Sequence, residues 1–286
     1  MGEIIDVKPL KERLKKEIKD KVFRLKSRGT HPKVAFLFSK ENKGADIFHR
    51  ILVKLGEELG ILTETIDVTN LSIGKIKKLI EELNRDPEVH GIFPIRPLGS
   101  KEIENEIFST MDPEKDIECL THENIGRLFS FSPKFIPSTP NASFEILKFF
   151  LNKKKISIKD YYGKVAVIVG RSITVGRPLY ILSLMNNLVP INLHSKVSDI
   201  SRFTKIGDII FSCAGVPHLV KKDMVKEGSI IIDIGINVTE EGVVGDVDTK
   251  GVVEKALGIT PVPGGVGEIT NLFVFKSLLS AYKLKI

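Results

Sequence analysis

The sequence predicts an α/β protein with two domains, each built around a parallel sheet, and a last helix that returns to the first domain. Its 286 residues are about twice the length of a usual domain. Short β-rich runs alternate with segments of helical periodicity along most of the chain, which is typical of βαβ units. In the second half, an uncharged apolar run passes directly into a Gly-rich turn at residues 170–178, which indicates a buried parallel strand followed by a helix.

Composition and charge exclude several classes of protein. Hydrophobic residues make up 42% of the chain and charged residues 28%, as in soluble folded proteins. The apolar runs are too short for a membrane span, and the charged N-terminus lacks the apolar region of a secretory signal. We therefore expect a cytoplasmic protein with no membrane partner. The net charge of +7 favours an anionic ligand rather than nucleic acid, because the chain has no basic tract interleaved with aromatic residues.

Cysteine and histidine give no pattern that predicts a metal site. Cys119 and Cys213 are too few and too isolated for a disulfide framework or a zinc site. The six histidines lack the spacing that places two imidazoles on one helical face. We therefore expect no metal.

The first domain begins with a helix, because apolar residues recur at helical spacing from Leu10 to Leu25 and the pattern ends at Gly29. The patterns that follow predict strands near 33–38, 63–68 and 89–95 and helices near 45–59, 73–83 and 101–109. Residues 111–140 are predicted to be irregular, and a helix over 142–151 is predicted to lead into the second domain.

The second domain begins with a buried strand after Gly163. Further buried strands are predicted at 208–214 and 229–235, with a short helix at 222–226 between them, and a turn-rich segment at 260–267 precedes a last helix from about 269 to 283. The predicted boundaries are residues 1–145 plus 269–286 for the first domain and 146–268 for the second.

The turn from Gly170 to Pro178 lies where a buried strand passes into a helix. Backbone N–H groups at such a helix N-terminus can hold a phosphate, and glycine lets the ligand approach the backbone. Ser172 takes the second glycine place of the usual fingerprint, so the alternative is a turn that only makes a tight corner. Its position in the βαβ pattern favours a Rossmann-like dinucleotide-binding domain.

The residues after the next strand indicate which dinucleotide binds. NAD enzymes place a carboxylate there to hold the ribose hydroxyls, but this chain has Leu193, His194, Ser195 and Lys196. Arg171, Ser195 and Lys196 suit a 2′-phosphate, which favours NADP over NAD. The alternative is that His194 and Lys196 are merely exposed at a strand end.

Several motifs, taken together, resemble those of one family. In chain order they are DPEKD at 112–116, NIGRL at 124–128, PSTP at 137–140, GRSxxVGRP at 170–178, GDVD at 245–248 and PVPGGVG at 261–267. Over nearly its whole length, the chain resembles the methylenetetrahydrofolate dehydrogenase/methenyltetrahydrofolate cyclohydrolase family, the FolD-type bifunctional enzymes of one-carbon metabolism.

The resemblance implies an NADP-dependent enzyme that oxidises 5,10-methylenetetrahydrofolate to the methenyl form and then hydrolyses this to 10-formyltetrahydrofolate. It also implies tetrahydrofolate derivatives as substrates, bound in the cleft between a folate-binding catalytic domain and an NADP-binding domain, and a homodimer. The matching positions are, for the cofactor, Gly170, Arg171, Ser172, Ser195 and Ile236 and, for the folate, Phe48, Glu118, Pro263, Gly264 and Gly265.

The first domain departs from the family at the positions to which the resemblance assigns catalysis. The family's Tyr-x-x-x-Lys on the second helix falls on Phe48 and Leu52, its strand-end Gln falls on Ile95, and its Asp-Gly becomes Glu118 and Cys119. Hydride transfer needs mainly orientation and a cofactor, whereas hydrolysis needs a group that handles protons. We therefore expect the dehydrogenase activity to survive and the cyclohydrolase activity to be weak or rerouted.

Three polar residues remain near these positions. Glu118 keeps a carboxylate that can anchor the pterin ring by accepting its N–H donors. His49, one turn before Leu52, and Arg96, beside Ile95, are the polar substitutes for a catalytic role, and the alternative for His49 is a packing residue. Two other functions stay open: a degenerate folate- or NADP-binding relative without turnover, and an NADP-linked dehydrogenase with a non-folate substrate.

Overall fold

A computed structural model describes residues 2–240 and 242–282, which fall into two compact units. We call residues 13–137 with 271–282 the three-stranded unit, and residues 2–12 with 138–270 the six-stranded unit, after their main sheets. In chain order the elements are β1 (Glu3–Ile4), α1 (Lys8–Lys26), β2 (Lys33–Phe38), α2 (Lys43–Leu59), β3 (Leu62–Asp67), α3 (Ile73–Arg85), β4 (Gly91–Pro94), α4 (Lys101–Thr110), α5 (His122–Phe129), α6 (Ser138–Lys153), β5 (Val165–Val169), α7 (Gly176–Met185), β6 (Val189–Leu193), α8 (Ser201–Thr204), β7 (Ile209–Ser212), β8 (Ile230–Asp233), β9 (Asn237–Thr239), β10 (Gly242–Val244), α9 (Thr249–Val252), β11 (Gly258–Ile259) and α10 (Val266–Ala281).

This division differs from the boundary expected at residues 145 and 146. Residues 2–12 belong with the six-stranded unit because β1 pairs in parallel with β11, with Glu3 opposite Gly258. A two-residue strand whose partner lies near the other end of the chain leaves no local periodicity to detect. Residues 138–145 belong there as well, because they form the start of α6, whose Phe144 ring stacks on Phe211 of β7 with 5.2 Å between the ring centroids.

The sheet of the three-stranded unit has the strand order β3-β2-β4, and both pairings are parallel. The central strand β2 is buried from Val34 to Phe38, which explains why its sequence is apolar without alternation. The strand predicted at 33–38 is confirmed at both ends. One face of the sheet packs on α3 and α4 through a buried cluster that includes Leu37, Ile80 and Ile107.

Helix α2 carries two of the expected catalytic positions. Asn42 caps the helix by accepting the N–H of Ala45 at 2.9 Å, and the helix ends at Gly60, which takes the left-handed conformation with φ of 75°. His49 and Leu52 are three residues apart and lie on its buried face, whereas Lys54 is exposed. Lys54 therefore points away from the face that Leu52 occupies, as the helical spacing predicts.

The sheet of the six-stranded unit has the strand order β1-β11-β8-β7-β5-β6, and every pairing in it is parallel. Strands β5, β7 and β8 lie at the centre and are almost entirely buried. The strand order reverses at β5, because the chain passes from β5 to β6 on one side and then to β7 on the other. Ligands of open α/β sheets bind at the carboxyl ends of the strands beside such a reversal. The predicted Rossmann-like architecture is confirmed.

Some predicted segments were wrong in detail. Residues 111–140, predicted to be irregular, contain the eight-residue helix α5, which is too short to show a helical period. Thr121 caps this helix by accepting the N–H of Asn124 at 3.3 Å. The helix predicted at 222–226 is a single 3₁₀ turn at Lys222–Met224. Helix α10 begins at Val266, before its predicted start, and its predicted end at residue 283 lies outside the described residues.

The longest helix, α1, has 19 residues and is rich in Lys and Glu. Within the described ranges, no helix combines the length and the apolar character that crossing a membrane requires.

Candidate functional site

The Gly-rich turn after β5 leaves no space for a side chain at either of its two glycines. Gly170 has φ of 133°, and a Cβ there would lie 2.5 Å from the carbonyl oxygen of Cys213. A Cβ on Gly176 would lie 2.2 Å from the carbonyl oxygen of Gly170. The close approach of backbone segments therefore requires glycine at both positions.

Ser172 closes this turn onto the beginning of α7. Its Oγ accepts the N–H groups of Val175 at 3.2 Å and Gly176 at 3.3 Å, and its carbonyl oxygen accepts the N–H of Arg177 at 3.0 Å. The two hydrogen bonds to its hydroxyl explain why a serine can stand at the second glycine position of the usual fingerprint. Arg171 and Ser172 are exposed near the N-terminus of a ten-residue helix, whose dipole favours an anion.

A cavity of about 510 Å³ lies beside this turn, at the carboxyl ends of β5, β6 and β7. Four of the five predicted cofactor residues line it, namely Gly170, Arg171, Ser172 and Ser195. The fifth, Ile236, does not line it and is 67% exposed. The other lining residues are Val169, His194, Val197, Ser198, Ile200, Cys213, Ala214, Val216 and Leu219.

The cavity lining includes the positive charge of Arg171, as expected of a site that binds a phosphorylated ribose. Among the described residues that line it, none is acidic. After β6, Nδ1 of His194 accepts the N–H of Lys196 at 3.2 Å, and Ser195 and Lys196 are exposed. The guanidinium of Arg171 and the hydroxyl of Ser195 suit a 2′-phosphate.

Two aspartates near this cavity were not among the site residues predicted from the sequence, although Asp246 lies in the GDVD motif at 245–248. Asp233 ends β8 and accepts the N–H groups of Gly235 at 3.1 Å and of Asp246 and Val247 at 3.0 Å. Burial raises the pKa of Asp233 to about 7, against the opposing effect of these donors. Asp246 accepts the N–H groups of residues 214–216. The sequence did contain a signal for Asp233, since an acidic residue at the end of an apolar strand is unusual and lies where a ligand can bind.

In the turn before α10, the two glycines predicted to bind the folate differ in exposure and in the space around them. Gly264 is exposed, with φ of 93° and open space at its Cβ position. Gly265 is buried, and a Cβ there would lie 2.3 Å from the carbonyl oxygen of Pro261. The structure therefore gives Gly265 a role in backbone packing, while Pro263 and Gly264 are accessible to a ligand.

In the three-stranded unit, the expected catalytic positions hold apolar side chains. Leu52 is 0% exposed and Ile95 is 1% exposed. Phe48 is half-buried, with its ring centroid 6.5 Å from that of Phe93. None of these side chains can accept or donate a proton.

His49 is buried on the same face of α2. Its ring stacks on Phe38 with 4.1 Å between the centroids, and its Nε2 lies 3.0 Å from Oγ1 of Thr65. Burial lowers the pKa of His49, so the imidazole is neutral at neutral pH. These contacts support the packing alternative.

Arg96, the other polar substitute, is paired with a buried carboxylate that the sequence did not reveal. Its Nε and Nη2 donate to Oε2 of Glu104 at 3.0 and 2.6 Å, and Oε1 of Glu104 accepts the N–H of Leu98 at 3.3 Å. The charge of Arg96 is therefore balanced within the unit.

Glu118 is buried beside the end of β4. It lies two residues after Asp116, which forms a parallel bridge with Ile92 of that strand. The next residue, Cys119, has φ of 58°, and burial raises the pKa of its thiol. This left-handed backbone conformation explains why glycine stands here in the family pattern.

The cavity and the fold together define a class of protein. Across residues 2–240 and 242–282, no three His, Cys, Asp or Glu side chains are grouped so as to hold a metal ion. The close-packed glycines, the helix N-terminus and the cation beside them fit a dinucleotide. The chain is a dinucleotide-binding α/β protein with a separate three-stranded unit.

The chain belongs to the tetrahydrofolate dehydrogenase/cyclohydrolase family. The model of the family's NAD(P)-binding domain matches residues 137–286, and the model of its catalytic domain matches residues 5–118. The resemblance predicted from the motifs is confirmed.

Relatives match the whole chain. The bifunctional protein FolD of Dictyoglomus thermophilum is 39% identical over 282 residues, which cover 98% of this chain and 97% of that protein. A crystal structure of the FolD methylenetetrahydrofolate dehydrogenase/cyclohydrolase of Campylobacter jejuni is similar with a TM-score of 0.91, at 33% identity and with all of both chains covered. The dehydrogenase-cyclohydrolase of Trypanosoma brucei, complexed with NADP and an inhibitor, has a TM-score of 0.90 at 27% identity and covers 99% of this chain and 97% of that one.

Proposed function

We propose that this protein is an NADP-dependent 5,10-methylenetetrahydrofolate dehydrogenase of one-carbon metabolism, in which hydrolysis of the methenyl product is slow. One observation carries the proposal. The cofactor cavity keeps its phosphate-binding turn, while Leu52 and Ile95 fill the two positions where the family pattern has a lysine and a glutamine. The names of the relatives support the folate substrate.

NADP fits the cavity better than NAD. Arg171 and Ser195 would hold the 2′-phosphate, and the backbone N–H groups at the beginning of α7 would hold the pyrophosphate. When bound, NADP supplies the nicotinamide ring that accepts a hydride. The protein's part is to orient the two reactants and exclude water.

Dehydrogenation moves one hydride from the methylene carbon of the folate to the cofactor. The folate loses two electrons with that hydrogen and becomes the methenyl cation, and no protein side chain gains or loses a proton. The family pattern has Tyr, Lys and Gln at the positions of Phe48, Leu52 and Ile95, and hydride transfer needs none of those three polar groups. Glu118 would orient the pterin by accepting its N–H donors.

Hydrolysis adds water to the methenyl cation and releases a proton. His49 is buried against Phe38 and Thr65, and Arg96 is paired with Glu104. Neither side chain replaces a lysine that accepts the proton, so we expect this step to lose general-base assistance.

The test uses the purified protein with methylenetetrahydrofolate and NADP, and follows NADPH and the methenyl compound separately. Accumulation of methenyl product at a rate equal to NADPH formation supports both parts of the proposal. Hydrolysis that keeps pace with oxidation contradicts the second part. Folate and NADP binding without NADPH formation favours a binding protein without turnover, and failure of folate binding favours a dehydrogenase with another substrate.

We also propose that the protein is a cytoplasmic homodimer joined through the six-stranded unit. The β9–β10 hairpin and the residue before it expose Ile236, Val238 and Val243, which are 67%, 85% and 42% exposed. Clustered apolar side chains at a surface favour contact with a second copy. Val238→Lys should shift the sedimentation coefficient towards the monomer, and an unchanged dimer would exclude the hairpin from the interface.

A further inference from the structure

Three consecutive backbone N–H groups beside the cofactor cavity point at one buried carboxylate. Oδ2 of Asp246 accepts the N–H groups of Ala214 at 2.6 Å and Gly215 at 3.1 Å, and Oδ1 accepts that of Val216 at 3.0 Å. Ala214 and Val216 line the cavity. Asp246 itself is 0% exposed and lies behind this wall.

Other contacts fix the carboxylate of Asp246 from the remaining sides. Nδ2 of Asn237 donates to Oδ1 at 2.9 Å, and Oγ of Ser212 donates to Oδ2 at 3.4 Å. A Cβ on Gly235 would lie 2.0 Å from Oδ1, so the backbone of residue 235 packs directly on the carboxylate. The N–H of Asp246 donates to Asp233.

We propose that Asp246 is a positioning residue for the cofactor, because it holds residues 214–216 in the conformation that forms one wall of the cavity. These residues are Ala, Gly and Val, whose side chains offer no polar anchor, and Gly215 has φ of 67°. The two oxygens of one carboxyl group can accept all three N–H groups at once, which fixes the three residues relative to one another. The inference rests on the proposed function only in taking this cavity as the NADP site.

The test is Asp246→Asn, which preserves the shape of the side chain but replaces one acceptor oxygen by an N–H donor. Because a buried N–H of the loop then lacks its acceptor, the Kd for NADP should rise by about tenfold to a hundredfold. The KM for NADP should rise with it, while kcat at saturating NADP changes far less. Titration calorimetry and steady-state kinetics measure these quantities.

Asp248→Asn is the matched control, since it makes the same change two residues away in the same motif. Asp248 caps α9 by accepting the N–H of Gly251 at 3.3 Å and does not line the cofactor cavity. Its NADP affinity should equal that of the unmodified protein. Circular dichroism confirms that each variant is folded at the temperature of the titration.

Asn237→Ala keeps the carboxylate and removes one of its fixed donors, so it replaces Asp246→Asn if that variant does not fold. It should weaken NADP binding by a few-fold. Unchanged NADP affinity in folded Asp246→Asn, or in Asn237→Ala where that variant has to be used, would overturn the inference while leaving the proposed function intact. Failure of the unmodified protein to bind NADP would overturn both.

Discussion

The two units place different side chains at the carboxyl ends of their parallel strands. In the six-stranded unit, β5 ends in a glycine turn with an arginine and a serine, and the buried Asp233 and Asp246 hold the loops behind the cavity. In the three-stranded unit, the buried Ile95 directly follows β4, and Leu52 of α2 is equally buried. The two polar substitutes in that unit form contacts within it, Arg96 with Glu104 and His49 with Thr65.

If the proposed function holds, binding and proton transfer have separate structural requirements. A dinucleotide is held by backbone N–H groups, close-packed glycines and charges at a strand edge, and these depend on a local backbone conformation. Activation of water depends on one titratable group in one place. A chain can therefore keep the first property intact and lose the second through two apolar substitutions.

The largest expected effect comes from restoring the family pattern with Leu52→Lys and Ile95→Gln together. A lysine at this buried position has a lowered pKa and can act as a base. General-base assistance typically contributes about a hundredfold to ten-thousandfold, so hydrolysis of methenyltetrahydrofolate should rise by that order without a comparable gain in hydride transfer. The control is Ile51→Lys with Ile95→Gln, because Ile51 is 46% exposed on the outer side of α2. Equal hydrolysis by both double variants would show that position 52 is not the catalytic place.

The next effect concerns cofactor choice in the six-stranded unit. Arg171→Ala should reduce the preference for NADP over NAD by about tenfold to a hundredfold, because a charge-assisted contact to the 2′-phosphate is lost. The ratio of kcat/KM for the two cofactors measures this preference. Arg202→Ala, at an exposed arginine of the same unit that does not line the cavity, should leave the ratio unchanged. Equal use of NAD and NADP by the unmodified protein would contradict the assignment.

A smaller effect separates packing from ligand access in the turn before α10. Gly265→Ala should destabilise the fold by about 3 kcal/mol, because its Cβ would collide with the carbonyl oxygen of Pro261. Gly264→Ala should cost roughly 1 kcal/mol, since only its positive φ opposes a side chain. Denaturant unfolding of the two variants compares them. A larger loss of stability for Gly264→Ala than for Gly265→Ala would show that the turn can accommodate a side chain at residue 265, which would contradict the packing role of Gly265.

The last effect, which is small over any single pH unit, is a pH dependence due to Asp233. Its pKa is raised by burial from 3.8 to about 7, so the folded protein retains a proton that the unfolded chain has already released. The free energy of unfolding of the wild type should therefore fall as the pH rises from about 4 towards 7, by about 1 kcal/mol between pH 6 and pH 7. Asp233→Asn removes this component. Urea unfolding at several pH values gives both curves, and parallel curves would refute the prediction.

The sequence predicted what depends on local patterns. The buried strand at 33–38 and the Gly-rich turn are continuous in sequence, and four residues predicted for the cofactor line one cavity. Ile236 does not line it. Its assignment to the cofactor came from the family pattern alone, which does not say where the side chain lies. The loop contacts of Asp246 were not predicted, because they join residues at least 30 positions apart. The pair of Arg96 and Glu104 was not predicted, because it crosses the irregular segment between β4 and α4, which has no periodic pattern. Helix α5 is too short for its periodicity to be recognised.

The edge strand β1 has a consequence for the synthesis of this chain. Its partner β11 begins at Gly258, so translation at about 5 to 20 residues per second leaves β1 unpaired for roughly 13 to 50 s. The strands of the three-stranded sheet all lie between Lys33 and Pro94 and leave the ribosome long before that. On the ribosome, the strands of the small sheet can pair while the large sheet still lacks an edge, and in a nascent chain arrested before residue 258 the small sheet should be cut by protease more slowly than β1.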